Sequence, residues 1–153
     1  MRFWSRVQPW LPAIAWAYLI SILSTDAFSS EHTSRFIVAA LHWLFPGAGG
    51  ATLELLHTVI RKSAHFTEYF ILSIFLVRAL RGKDRGWTLR WAVWAIAIAA
   101  SYAALDEFHQ SFVVSRTASP WDSLLDTTGA TAAQILLWLG NLRAGNTAEN
   151  KNW

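Results

Sequence analysis

The sequence contains no cysteine and few charged residues for its length. Of its 153 residues, 15% are Asp, Glu, Lys or Arg, whereas soluble domains carry roughly 25%. The absence of cysteine excludes disulfide bonds and thiolate chemistry. The low charge, together with 54% hydrophobic residues, favours a membrane protein over a soluble domain.

Common catalytic motifs are also absent from the sequence. It has no GxSxG nucleophile elbow, no Walker loop, no HExxH zinc motif and no dinucleotide-binding fingerprint. The sequence therefore does not decide whether the protein is an enzyme, and it predicts no cofactor.

Tryptophan and basic residues are prominent in the sequence. Ten tryptophans are present, and most lie near the ends of apolar segments, where indoles favour the lipid–water interface. The net charge is +3, but the cations are grouped in short loops rather than along one face. We therefore do not expect nucleic acid as a partner.

Four apolar segments are long enough to cross a bilayer, which needs about 20 helical residues. They cover residues 7–25, about 52–80, 91–105 with a polar continuation to about 110, and about 120–142. The apolar segment 36–45 is too short to cross and ends at Pro46-Gly47. We predict an all-α polytopic membrane protein with four transmembrane helices and a short interfacial or re-entrant helix in the first outer loop.

The first segment is not interpreted as a cleaved signal peptide. Trp16 and Tyr18 are bulky for the centre of a signal sequence, and the residues near Asp26 give a poor cleavage motif.

The distribution of Lys and Arg predicts the orientation. In the four-span arrangement, most of these residues fall on one side: Arg2, Arg6, Arg78, Arg81, Lys83, Arg85, Arg90, Arg143 and Lys151. Only Arg35, Arg61, Lys62 and Arg116 fall on the other. Because short cytoplasmic loops are enriched in Lys and Arg, both termini are predicted to be cytoplasmic.

Ionisable residues occur at the outer ends of three predicted helices. The second helix has Lys62, His65, Glu68 and Tyr69; the third has Asp106, Glu107, His109 and Gln110; the fourth has Asp122 and Asp126, with Arg116 in the preceding loop. At about 100° per residue, each set forms a stripe along one side of its helix. Because lipid-exposed ionisable groups cost several kcal/mol, we expect the stripes to face one another around an outward-facing polar pocket.

The same residues resemble the VanZ-like family of small bacterial membrane proteins. The pattern is K-x-x-H-x-x-E-Y at residues 62–69 and D-E-x-H-Q at residues 106–110, followed by Arg116, Asp122, Asp126 and Gly129. The resemblance implies one VanZ-like domain over residues 1–143. The polar composition of residues 144–153 predicts a flexible tail. The resemblance also implies a multi-pass cell-envelope protein of the bacterial plasma (inner) membrane, related to resistance to the lipoglycopeptide teicoplanin.

Three functions are open at this point, and the first is lipid binding. Under this hypothesis the pocket binds one of three ligands: a membrane lipid with an anionic headgroup, a lipid-linked cell-wall precursor or a lipoglycopeptide. Lys62 and Arg116 would contact phosphate, and Tyr69, Gln110, Asp122 and Asp126 would complete the ligand-binding set. The catalytic candidates are His65 or His109 as the acid or base, oriented by Glu68, Asp106 or Glu107.

The second and third functions use the same residues differently. His65/Glu68 and Asp106/His109 are His–carboxylate pairs three residues apart, a spacing that metal-binding helix bundles use, although the nearby Lys62 argues against a metal. In the third function the cluster is a structural network in a non-enzymatic scaffold or modulator. A through-channel is disfavoured, because we identify no matching polar residue in the inner halves of the third and fourth segments.

Overall fold

The computed structural model describes residue 4 and residues 7–25, 30–82, 84, 86–112 and 119–149, with only the backbone for residues 30–35 and 144–149. Its regular structure in these ranges is entirely helical. A 3₁₀ turn, Gln8–Trp10, precedes α1 (Leu11–Leu23), α2 (Ser30–Leu44), α3 (Gly50–Arg81), α4 (Leu89–Gln110) and α5 (Pro120–Glu149). The predicted all-α class is confirmed for this part of the chain.

Among the described helices, only α3 combines the length and the apolar character needed to cross a membrane. The first predicted span is divided between the 3₁₀ turn and α1, whose 13 residues cover about 20 Å. Helices α4 and α5 occupy the third and fourth predicted segments and have 22 and 30 residues. The structure thus supports one candidate span, and the other three remain predictions.

Two helices extend beyond their predicted bounds. Helix α2 corresponds to the predicted segment 36–45 but begins at Ser30. It buries Leu41 and exposes Phe36 and Trp43. Helix α5 continues to Glu149 and so includes residues 144–149 of the segment predicted as a tail.

Helix α3 lies at the centre of the bundle and contacts the other four helices. Its residues Tyr69, Leu72 and Leu76 belong to the core. Helix α4 contributes alanines at every fourth position, including Ala95 and Ala99, both wholly buried. These short side chains form one face of α4 and allow its neighbours to approach closely.

Helices α3 and α5 approach each other closely at Gly129. A Cβ atom added at this glycine would collide with the carbonyl oxygen of Phe66. Only a residue without a side chain therefore fits where α5 crosses α3.

Cross-helix contacts define two ends of the bundle. At one end, here called the polar end, Lys62 of α3 contacts Asp122 of α5. At the other, the Arg81 end, α3 ends and α4 begins, and the α3–α4 connection contacts Asn141 of α5. Helix α1 runs toward the polar end, where Ser24 bonds to α4, so α1 begins toward the Arg81 end. Helix α5 runs from Asp122 at the polar end to Asn141 at the Arg81 end, so it finishes toward the Arg81 end.

Candidate functional site

The most buried part of the predicted site lies between α3 and α5. The imidazole Nδ1 of His65 lies 3.6 Å from Oδ1 of Asp126. Asp126 is only 1% exposed, and Tyr69, one turn further along α3, is completely buried. The carboxylate that lies beside His65 is thus that of Asp126, which was predicted as a ligand-binding residue and not as an orienting group.

The polar atoms of these three residues have hydrogen-bonding capacity that the fold does not use. His65 Nδ1, Tyr69 Oη and both carboxylate oxygens of Asp126 are buried and have no hydrogen-bond partner. Buried polar atoms are nearly always hydrogen-bonded in folded proteins, because leaving one unsatisfied costs about 1–3 kcal/mol. These atoms are therefore candidates to contact a ligand, and those of His65 and Asp126 also lie within ion-pair distance of each other.

A second group of buried polar residues is fully paired. Ser24 Oγ donates a hydrogen bond of 2.6 Å to Asp106 Oδ2, and Gln110 Nε2 donates one of 2.9 Å to the same oxygen. These bonds connect the residue that follows α1 to the last turns of α4. Ser24 was not predicted as a site residue, because a lone serine at the end of an apolar segment gives no signal of its own.

The rim of the site carries the remaining charged residues. Lys62 Nζ lies 3.1 Å from Asp122 Oδ1, and the Lys62 side chain is 52% exposed. Glu107 is buried and its Oε2 accepts a hydrogen bond of 2.8 Å from the backbone N–H of Ser119, just before α5. Glu107 and Ser119 also line a pocket of about 330 Å³ between α4 and α5.

Of the other predicted site residues, Glu68 adjoins this group, His109 lies apart from it and Arg116 falls outside the described residues. His109 is in the last turn of α4 with an exposed side chain. Glu68 is partly buried, and its backbone carbonyl accepts a hydrogen bond of 2.9 Å from Trp16 Nε1 of α1. Arg116 lies outside the described residues. The structure therefore brings His65 and Tyr69 together with Asp126, but it does not bring His109 to them.

Polar residues of the α3–α5 interface extend further from the polar end than predicted. Gln134 Nε2 donates hydrogen bonds of 2.8 Å to Ser73 Oγ and 3.1 Å to the Ser73 carbonyl. Gln134 is 2% exposed and belongs to the inner half of the fourth predicted segment. The statement that this half carries no matching polar residue is therefore wrong. The position of Gln134, about two helical turns after Asp126, could have identified it from the sequence.

The metal alternative lacks a ligand set in the part of the chain that the structure describes. No three His, Asp or Glu side chains there are grouped closely enough to hold one ion. His65 and Asp126 form a pair, and Lys62 adds a positive charge at the rim beside Asp122.

The fold and the site together define a class of protein: a helical bundle with one candidate membrane span and a buried polar cluster between its helices. The sequence model of the VanZ/LLP1 family matches residues 9–141. The chain therefore belongs to the VanZ/LLP1 family, as its motifs indicated. Comparisons with curated proteins and with solved structures gave no significant match.

Proposed function

We propose that this VanZ-family protein is a multi-pass membrane protein that binds the headgroup of an anionic lipid or lipid-linked cell-wall intermediate at its polar end. The observation that carries the proposal is the group of unpaired, buried polar atoms on His65, Tyr69 and Asp126, close to the half-exposed cation Lys62.

Exposed apolar side chains support the membrane location. Large hydrophobic residues are more than half exposed on several helices, for example Ile14 on α1, Val59 on α3, Val93 on α4 and Leu136 on α5. Soluble monomers rarely expose contiguous apolar surface of this extent. In a bilayer, these side chains contact acyl chains, and the polar cluster is shielded between the helices.

The proposed orientation places the polar end outside the plasma membrane and the Arg81 end in the cytoplasm. It is supported by the excess of Lys and Arg in the segments at the Arg81 end. The course of α1 and α5 agrees, because α1 begins and α5 finishes toward that same end.

The residues of the site match a headgroup that carries both phosphate and hydroxyl groups. Lys62 supplies positive charge to the phosphate, and Arg116, which the sequence places in the loop before α5, adds a guanidinium that binds phosphate in a bidentate manner. The Asp126 oxygens accept hydrogen bonds from ligand hydroxyls, and Tyr69 donates one. His65, held beside Asp126, is the residue placed to exchange a proton with a bound hydroxyl group.

Binding of a lipid-linked cell-wall intermediate would connect the site to tolerance of teicoplanin-type antibiotics. The proposed site opens on the outer side of the membrane. We infer that the protein contributes to tolerance by holding a precursor lipid at this surface.

The test is lipid binding by the purified full chain, measured by native mass spectrometry with a polyprenyl phosphate as the probe. We expect Lys62→Ala and Arg116→Ala each to weaken binding about tenfold, the size of one charge-assisted hydrogen bond. Arg78→Ala is the matched control, because Arg78 is exposed near the other end of α3. Equal binding by wild type, Lys62→Ala and Arg116→Ala would contradict the proposal.

A structural role is the second candidate, and the paired group around Asp106 favours it. Ser24, Asp106 and Gln110 satisfy one another and tie α1 to α4, which a scaffold requires and a binding site does not. The variant His65→Ala separates the two candidates. Under the headgroup proposal it accumulates to wild-type levels and loses lipid binding, whereas under the scaffold proposal its cellular abundance falls.

A further inference from the structure

A second pocket lies at the Arg81 end, away from the polar cluster. It has a volume of about 210 Å³ and is enclosed by the last turn of α3, the first turn of α4 and α5. Val77 and Leu137 form an apolar part of its wall, and Trp91 adds an indole ring. The function proposed above does not use this pocket.

The polar groups of this pocket are mainly hydrogen-bond donors. Arg81 contributes a guanidinium. Trp87 Nε1 is buried and has no hydrogen-bond partner. Thr88 is the N-cap of α4 and makes no side-chain capping bond, so the first N–H groups of the helix lack an internal acceptor. None of the described residues that line the pocket is acidic.

The α3–α4 connection is fixed in position beside the pocket. The backbone N–H of Trp87 donates a hydrogen bond of 3.1 Å to Asn141 Oδ1 of α5, and the rings of Trp87 and Trp138 lie 6.4 Å apart. Gly86 has φ +86°, which other residues rarely adopt. The donors are thus held by contacts that exist without a ligand.

We propose that this pocket binds the phosphate-bearing headgroup of an anionic phospholipid from the leaflet at the Arg81 end. Arg81, Trp87 and the amino end of α4 line the same pocket, and an anion is the ligand that a guanidinium, an indole N–H and a helix amino end each favour. The inference rests on the membrane location in the proposed function but not on the ligand of the polar cluster.

The pocket's surroundings favour a lipid over a soluble anion. Trp87, Trp91 and Trp138 lie together at this end, as indoles do at the level of lipid headgroups. The apolar wall formed by Val77 and Leu137 suits the first methylenes of an acyl chain. Exposed Arg90 adds positive charge nearby, and basic pockets between helices on the cytoplasmic side are typical sites for acidic lipids.

The test uses the full chain in nanodiscs of phosphatidylcholine to which phosphatidylglycerol is added. Retained phosphatidylglycerol is counted by native mass spectrometry. We expect Arg81→Gln to lower its affinity about tenfold and Trp87→Phe, which keeps the ring but removes the N–H, about three- to tenfold. The control Arg78→Gln, one turn earlier on α3, leaves the affinity unchanged. If Arg81→Gln does not fold, Trp87→Phe alone decides the result.

Three results would overturn the inference: wild-type affinity in both pocket variants, equal retention of phosphatidylcholine by the wild-type chain, or an equal loss in Arg78→Gln. Inorganic phosphate is the soluble probe, and its binding in place of phosphatidylglycerol would show that the lipid assignment is wrong. Lys62→Ala should weaken polyprenyl phosphate binding while phosphatidylglycerol remains bound at the Arg81 end. The two proposals therefore fail independently.

Discussion

Buried polar residues of this protein are of two kinds. Asp106 is held by Ser24 and Gln110 and contributes to the stability of the bundle. The hydroxyl of Tyr69 has no hydrogen-bond partner, so that folding gains nothing from its polarity. The carboxylate of Asp126 has no hydrogen-bond partner either, and its ion-pair contact is with the imidazole of His65 at 3.6 Å. The proposed role in ligand binding would explain why polar groups stand at positions where apolar ones would stabilise the fold.

The variant Tyr69→Phe tests this difference. Because it removes a buried hydroxyl without a partner, we expect the free energy of unfolding to stay the same or to rise by about 1 kcal/mol. Binding of the polyprenyl phosphate should weaken at the same time, because the ligand loses a donor. Thermal unfolding in detergent and native mass spectrometry measure the two effects.

Ser24→Ala is the contrasting variant. It removes the donor that lies 2.6 Å from Asp106, and we expect it to lower the free energy of unfolding by about 1–3 kcal/mol. If Tyr69→Phe proves as destabilising as Ser24→Ala, the division into paired and unpaired groups is wrong.

At the scale of the helices, the α3–α5 contact determines the geometry of the site. Gly129 lies against the backbone of Phe66. Phe66 directly follows His65 on α3, and Gly129 comes three residues after Asp126 on α5. The distance between His65 and Asp126 therefore depends on how closely the two backbones approach at this glycine.

Gly129→Ala is expected to force α3 and α5 apart. We predict a loss of about 1–3 kcal/mol of unfolding free energy, the usual cost of an overpacked contact, together with weaker headgroup binding. The control is Gly140→Ala on the same helix, where an added Cβ meets no atom within 4 Å. There, the higher helix propensity of alanine should leave stability unchanged or raised by up to about 1 kcal/mol. Equal effects of the two variants on thermal unfolding would contradict the assigned contact.

For the whole molecule, the central question is how the bundle lies in the membrane. Helix α3 has the length and composition of a span, and the other helices expose large apolar side chains around it. The proposed orientation predicts opposite accessibility for the two ends of the bundle.

Because the chain has no cysteine, single cysteines report this accessibility without a background signal. We expect a membrane-impermeant maleimide to label Ser111→Cys, at the polar end, in intact cells. Asp84→Cys, in the α3–α4 connection, should react only after permeabilisation. Both positions are exposed. The reverse pattern would invert the proposed topology, and labelling of both in intact cells would exclude it.

The sequence by itself determined the helical class, the family and the residues of the polar stripes. These follow from apolar segment length and from the helical period, both of which are local properties of the chain. The segments predicted for α3 and α4 agree closely with Gly50–Arg81 and Leu89–Gln110. The family motifs likewise indicated the match over residues 9–141.

Only the tertiary structure decided which of these residues meet. It placed Asp126 beside His65, paired Asp106 with Ser24, joined Gln134 to Ser73 and left His109 exposed. The helical period fixes which side chains share one face of a helix. It does not fix the rotation and axial offset between two helices, because these are set by packing contacts such as Gly129 against Phe66, far apart in the sequence.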